Sequence, residues 1–260
     1  KGQVNDATYA QGQFVNNMNF KDEASSNTTM AQIYVNHNFN KNVAVRLGRQ
    51  PIAFGNQGGW LYNGLEGYDG AQVSYNNGKL SLTTGFGQLN ASDMAEVTKE
   101  DMYFAKGAYD FGFAKLNADY IADKDGKAQY RDEIFGVGLN IPVQKFNVFG
   151  EYWKNTTALD DHDTAWNAGL SYGKADWKKA GTWDLSVAYN DVDYGVYFGG
   201  GTWHNDMLKN FTFSNGKYLA ATNLTFWTAI ANVTLQKNVQ LHAEYAFAAD
   251  AEGTFGVDPD

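Results

Sequence analysis

The sequence predicts an all-β fold, a transmembrane up-and-down antiparallel β-barrel. Three observations predict it: strand-length segments in which apolar and polar residues alternate, connections that alternate between short turns and long loops, and aromatic residues near strand ends. A membrane barrel turns its apolar face outward to lipid and keeps its polar face around water, so only alternate residues of each strand need be apolar.

The composition limits the possible functions. The chain has 260 residues and no cysteine, which excludes disulfides and thiolate metal sites. It sets 20 basic residues against 29 acidic ones, and the net charge of −9 argues against a nucleic-acid-binding protein. Because no run of about 18 apolar residues occurs, no membrane-spanning helix is predicted. We expect one barrel domain over 1–260 and no cofactor.

The stretch "YDGAQVSYNNGKLSLTTGFGQL" at 68–89 shows the alternation clearly. One face of its first half carries Ala71, Val73 and Tyr75, and an Asn-Gly pair separates this half from a second alternating run. Asn-Gly between alternating runs is a strong hairpin signal. A soluble sandwich would turn the apolar face inward, whereas a barrel would turn it to lipid.

The same rhythm of strands continues along the whole chain. The residues Lys1–Val4 are predicted to be the tail of a strand, and further strands are predicted at 7–20, 31–39, 43–50, 70–76, 79–89, 102–109, 113–121, 133–141, 146–154, 165–174, 182–190, 223–236 and 239–248. This makes about fourteen strands. Since bacterial single-chain barrels have an even number of strands and their termini lie on the short-turn side, we expect one further strand at each end, or about sixteen in the complete protein.

The connections between these strands alternate in length. Short turns alternate with long segments at 21–30, 51–69, 91–101, 122–132, 155–164 and 191–222. An up-and-down barrel has tight turns on one side of the membrane and long loops on the other, whereas a Greek-key sandwich would not keep this alternation.

The faces of individual strands agree with a membrane barrel. Ala118 and Val148 are expected to contact lipid, and Lys115 and Glu151 to face water in the interior. Aromatic residues concentrate near both strand ends, as the two interfaces of a membrane require. The alternative interpretation of the aromatic residues is the general preference of strands for them.

Two motifs resemble a known family. The stretch "VAVRLGRQPIAFG", followed by "GLEGYDGAQVSY", resembles the fifth strand, third loop and sixth strand of the general porins. Among porins, "RLGRQP" and "YDGAQVSY", together with the asparagine-rich turns, are most similar to the OmpM-type porins of diderm Firmicutes.

This resemblance implies a location, partners and a function. It implies an integral protein of the bacterial outer membrane that forms a homotrimer, contacts membrane lipid and lipopolysaccharide, and lets small hydrophilic solutes diffuse passively. It also implies an N-terminal S-layer-homology domain outside this chain, which would bind peptidoglycan or its polymers. No reaction is expected.

Charged side chains at inward positions are the candidates for the pore lining. The basic candidates are Arg46, Lys106 and Lys115, and the acidic ones are Asp119, Glu151, Asp184 and Glu244. Rings of charge set the selectivity of pores, and this mixed set with an acidic excess predicts a weak preference for cations. The alternative is that each charge belongs to an ion pair between neighbouring strands.

The segment 51–69 is the candidate for a constriction, because it is long, glycine-rich and too apolar for a freely solvated loop. Glu66 and Asp69 would then lie near Arg46 and Arg49, across or beside the narrowest point. Strict alternation puts Arg49 on the lipid face, unless a bulge turns it inward. The segment could instead latch over a neighbouring subunit, and 191–222 is a rival constriction.

Three other functions remain open from the sequence. The barrel could serve mainly to tether the membrane to the cell wall. The chain could also be a soluble extracellular β protein that binds carbohydrate through Trp60, Tyr62 and Trp203. His242 and Glu244 share an inward face and could form a catalytic pair, although a polar pair in a pore lining explains them better.

Overall fold

A computed structural model describes residues 1–17, 27–56, 59–89, 101–123, 133–157, 161–196 and 223–252. These residues form one antiparallel sheet of fourteen strands, in which each strand pairs with its neighbours in sequence. The prediction of an up-and-down β fold with about fourteen strands in this chain is confirmed. The described part contains no helix that is long and apolar enough to cross a membrane.

The strands follow one another through the whole chain. Their bounds are β1 Gly2–Asn5, β2 Thr8–Asn17, β3 Asn27–Asn38, β4 Val43–Phe54, β5 Tyr62–Asn76, β6 Leu80–Leu89, β7 Asp101–Asp110, β8 Lys115–Asp123, β9 Glu133–Val143, β10 Phe146–Asn155, β11 Thr164–Gly173, β12 Trp183–Asp193, β13 Asn223–Gln236 and β14 Val239–Glu252. A short 3-10 helix, Tyr194–Val196, follows β12.

Asparagine side chains form the short turns. In the hairpin between β5 and β6, the Asn77 Oδ1 accepts hydrogen bonds from the backbone N–H groups of Lys79 and Leu80, at 3.0 and 2.8 Å. Gly78 has a positive φ of 94° there, which glycine adopts without steric cost. This local chemistry fixes the register of the hairpin predicted from the Asn-Gly pair.

The two faces of the sheet are inverted relative to a soluble protein. On β10, the outward Val148 is 48% exposed, whereas the inward Glu151, three residues further along the strand, is only 5% exposed. Ala118 on β8 is likewise exposed on the outer face, and the inward Asp119 beside it is buried. Large apolar side chains outside and polar ones inside are the pattern of a barrel in lipid.

Aromatic residues form two outer girdles at a constant spacing along the strands. Pairs six residues apart on one strand are Tyr109 and Tyr103, Phe146 and Tyr152, Tyr172 and Trp166, and Trp183 and Tyr189. Neighbouring strands bring these rings together, as for Phe146 and Tyr172, whose centroids are 4.9 Å apart. Six residues of a strand span about 20 Å, with the aliphatic band between the girdles.

The largest difference from the sequence prediction lies at 51–69. The wall strands β4 and β5 continue into this segment and pair across it, with Ile52 opposite Gly64 and Phe54 opposite Tyr62. The register shifts between Gln50 and Ile52. The segment is therefore a hairpin continuous with the barrel wall, and we call residues 52–64 the inner hairpin.

A matched pair of substitutions tests the two faces. Ala118→Arg puts a charge on the lipid-facing side of β8, whereas Ala108→Arg puts the same charge on the exposed inner side of β7. An arginine facing lipid near the midplane costs about 2–4 kcal/mol, so Ala118→Arg should lower the unfolding free energy in bilayers by roughly that amount. Ala108→Arg should fold as the parent does. Equal losses, or a larger loss for Ala108→Arg, would invert the assignment of the faces.

Candidate functional site

The inner hairpin leaves the wall at a bulge. Gly67 lies opposite this bulge with a positive φ of 46°, and a Cβ there would meet the Gln50 carbonyl oxygen at 2.0 Å. Only glycine permits this approach of the two backbones. Because bulges bend the strand that carries them, the hairpin beyond this point turns into the interior.

The base of the inner hairpin is fixed by a basic and an acidic side chain from the facing wall. The Lys106 Nζ donates a hydrogen bond to the Ala53 carbonyl oxygen. The Gly55 backbone N–H donates to the Asp119 Oδ2 at 3.0 Å. Lys106 and Asp119 lie directly opposite each other on β7 and β8. A single charged pair of the wall therefore binds the hairpin backbone at both Ala53 and Gly55.

The turn of the hairpin is held by Glu151 of β10. The Asn56 backbone N–H donates to both carboxylate oxygens, at 3.1 and 3.0 Å. The Trp153 Nε1–H and the Asn167 side-chain amide donate to the same carboxylate, at 2.9 and 3.3 Å. A buried carboxylate is costly unless its lone pairs are filled, and here three separate donors fill them.

Asparagines extend these contacts to the neighbouring strands. The Asn56 side-chain amide donates to the Gly150 carbonyl oxygen at 3.1 Å, and its Oδ1 accepts from Asn140 of β9 at 3.0 Å. The Trp60 Nε1–H donates to the Asn190 Oδ1 of β12 at 2.9 Å. The hairpin therefore crosses the interior and contacts β7 to β10 and β12.

An apolar cluster packs around the hairpin at the long-loop end of the barrel. The Phe54 ring lies 5.9 Å from the ring of Phe104, which in turn lies 5.2 Å from Tyr68. Inward side chains of the wall complete the cluster: Ile121, Ile134, Trp153, Val192, Leu224 and Phe226. This end of the interior is thus packed like a protein core.

A cavity of about 390 Å³ remains on one side of the hairpin. Its polar lining comes from four wall strands and comprises Gln72, Ser81, Thr83, Lys106, Asn117 and Asp119. Such a cavity can hold water and small polar solutes.

The structure places Lys115 and Asp184 near the short turns and Glu244 in the middle of β14, opposite Ile230. Lys115 is 3.5 Å from Asp110 at the turn between β7 and β8. Asp184 accepts hydrogen bonds from the Asn232 side chain at 2.7 Å and from a turn backbone N–H at 2.8 Å. The remaining candidate, Glu244, accepts from His242 at 2.7 Å.

Arg46 occupies a different part of the interior. It lies on the inner face of β4, and the centre of its guanidinium group is 4.5 Å from the ring centroid of Tyr34 on β3. Its direct neighbours across the strands are Asn36 and Gln72. The register of the strands thus gives Arg46 the inward orientation that the sequence predicts.

The predicted proximity of Asp69 to Arg49 is confirmed, but the prediction that the two lie across or beside the narrowest point is wrong. Arg49 pairs with Asp69 through two hydrogen bonds of 2.7 and 2.8 Å, and this pair shares the outer face with Leu47 and Ala71. The bulge that could have turned Arg49 inward comes after Gln50, too late in the chain to affect it.

Asp69 lies six residues from Tyr75 on β5, at the level where the other strands carry the aromatic girdle nearer the long loops. The ion pair replaces aromatic side chains in this row, at the level where an interface tolerates charge.

Some predicted residues cannot be compared. The side chain of Glu66 lies outside the described residues, as do Trp203 and the part of the rival segment from 197 to 222. Trp60 and Tyr62, the other two candidates for binding carbohydrate, are buried in the hairpin cluster at 7% and 2% exposure. They are therefore not presented to a ligand from outside.

Comparison with known proteins gives relationships at the level of the fold. No protein-family model matches the chain, and no curated protein matches it. Among solved structures, OmpT of Vibrio cholerae, an outer membrane protein in its trimer form, has a TM-score of 0.56 and 14% identity, over 95% of this chain and 77% of that one. A loop L8 deletion mutant of the same protein has a TM-score of 0.57 and 13% identity, over 96% and 83%.

A third similar structure is Salmonella typhi OmpF in complex with daunomycin. It has a TM-score of 0.56 and 13% identity, over 94% of this chain and 79% of that one. The chain has the fold of the outer-membrane β-barrel porins.

Removal of the anchoring carboxylate tests the hairpin contacts. Glu151→Ala leaves the Asn56 backbone N–H, the Trp153 indole and the Asn167 amide without their acceptor, at about 1–3 kcal/mol for each buried group. We expect a lower unfolding temperature in detergent. The control Glu244→Ala removes an equal charge from the inner face away from the hairpin. If both variants behaved alike, Glu151 would not be the anchor.

Proposed function

We propose that the protein is an outer-membrane channel through which small hydrophilic solutes and ions diffuse passively. The inverted faces of the sheet support a position in lipid, and the polar inner face supports a water-filled interior. The buried positions of Trp60 and Tyr62 count against a soluble carbohydrate-binding protein. We propose no reaction for His242 and Glu244, which continue a polar network along the inner wall.

The observation that carries this proposal is the inner hairpin. An empty barrel of about sixteen strands leaves a wide aqueous channel that would sieve solutes poorly. Here the hairpin crosses the interior and is anchored at three levels, by Asp119, Glu151 and Asn190. A rigid obstacle of this kind turns a wide barrel into a molecular sieve, with the remaining opening beside the hairpin.

The assembly and its surroundings follow from the same proposal. OmpT of Vibrio cholerae occurs in a trimer form, and a homotrimer is proposed here too, with membrane lipid and lipopolysaccharide around it. The motifs "RLGRQP" and "YDGAQVSY" support the finer assignment to the OmpM type. In that case an N-terminal domain would bind peptidoglycan, and tethering would be a second function of the same protein.

Shortening the inner hairpin tests the constriction. Because Ile52 and Gly64 are directly opposite, replacing 53–63 by Asn-Gly closes the two strands with a two-residue turn. The variant should show a severalfold higher single-channel conductance in planar bilayers. It should also admit larger sugars in a liposome-swelling assay.

Two results would contradict this role of the hairpin. Unchanged conductance together with loss of the trimer would mean that the segment latches subunits together. A pore that opens only when 198–221 is shortened would make that long connection the constriction.

A further inference from the structure

The inner hairpin divides the interior unequally. Its hydrogen bonds go to β7, β8, β9, β10 and β12, which all follow its own root in β4 and β5 along the sheet. The first strands of the chain carry Tyr9, Tyr34 and Arg46 on their inner faces. If the protein is a channel, the wall of β2 to β4 is a surface that a solute passes.

The hairpin also changes which charges a solute meets. Asp119 and Glu151 are only 6% and 5% exposed, and both carboxylates bind backbone N–H groups of the hairpin. Glu151 is thereby removed from the water of the interior, and Asp119 keeps only a small exposed edge that borders the polar cavity. The sequence prediction of a weak cation preference rests on an acidic excess that includes these two carboxylates. Their burial weakens that prediction.

Arg46 stays without a counter-ion in this part of the interior. No ion pair joins it to a carboxylate among the described residues, and its Nε is buried without a hydrogen-bond partner. Its cross-strand neighbours Asn36 and Gln72 are neutral, and each has its own partner, Asn38 and Tyr68 respectively. No carboxylate of the described residues thus neutralises the positive charge of this guanidinium group.

The ring of Tyr34 contacts this charge from one side. The guanidinium centre lies 4.5 Å from the ring centroid, a cation–π distance, and the Tyr9 ring supports Tyr34 edge-on at 6.3 Å. Because the ring covers one side of the group, the N–H edge of the guanidinium fork is the place where another group can bind. That edge matches a carboxylate, which accepts two parallel hydrogen bonds from it.

We propose that Arg46 and Tyr34 form a binding site for small carboxylate solutes in the channel. This inference rests on the proposed channel function and gives it a substrate class, small organic monoanions. Conduction requires a site that attracts a solute and still releases it, and a single half-buried arginine in a wet interior meets both conditions.

Two substitutions at one position separate charge from geometry. Arg46→Gln removes the charge, and Arg46→Lys keeps it but removes the planar fork. The control Lys115→Gln removes an equal charge near the short turns, where Lys115 is 3.5 Å from Asp110. The measurements are reversal potentials and currents of the reconstituted protein in gradients of sodium chloride and sodium acetate.

We expect the parent channel to prefer anions and to conduct acetate better than the mobility of acetate relative to chloride predicts. Arg46→Gln should lower the anion-to-cation permeability ratio about fivefold, the effect of one unit charge at about 4 Å in water. Lys115→Gln should change the same permeability ratio by less than half of the change that Arg46→Gln causes. Arg46→Lys should keep the preference for chloride over sodium but lose the advantage of acetate.

The outcomes distinguish the two proposals. If the parent protein inserts into bilayers and gives no channel, the proposed function fails. If it conducts and Arg46→Gln changes neither ratio, the carboxylate site fails and the channel stands. If Arg46→Lys conducts acetate as well as the parent does, charge alone acts and the site is also overturned. Should Arg46→Gln not fold, the comparison of Arg46→Lys with the parent decides.

Discussion

The interior of this barrel depends on one buried carboxylate. Glu151 accepts hydrogen bonds from the hairpin backbone at Asn56 and from two side chains of the wall. In water these hydrogen bonds would add little to stability, because each donor would otherwise bind solvent. Inside the cluster of Trp153 and its neighbours, water is excluded, so the groups must satisfy one another. The position of the hairpin therefore follows from a polar contact in an apolar setting.

The membrane explains why such contacts are available inside the barrel. In a soluble sheet protein, the inner face is apolar and offers few acceptors to an entering backbone. Here lipid takes the apolar face, so Asp119, Asn140 and Asn190 are left pointing inward. A chain segment that enters this interior finds hydrogen-bond partners at each level, which satisfies the rule that buried backbone groups be paired. The same inversion that makes a pore possible also lets the wall bind the hairpin.

The sequence predicts what is local and misses what joins distant residues. Period-two alternation and the asparagine turns located the strands, because neighbouring residues determine both. The extension of β4 and β5 was missed, since glycines in 51–69 hide the pairing of Phe54 with Tyr62. Asn56 and Glu151 are far apart in the chain, so no local pattern reveals their contact. One available signal was overlooked: inward positions near the long loops are apolar, which is unnecessary in an open pore.

The hydrogen bonds that anchor the hairpin also change which charges of the inner face are exposed. The formal charge of −9 sums the whole chain, including the long loops, whereas a permeating ion responds to charges that water reaches within about a Debye length. When the hairpin backbone binds Asp119 and Glu151, two negative charges are covered by peptide groups. Arg46 has no such cover from a carboxylate of the described wall. The hairpin thus narrows the interior and, since it also binds the Lys106 ammonium group, covers two negative charges against one positive charge.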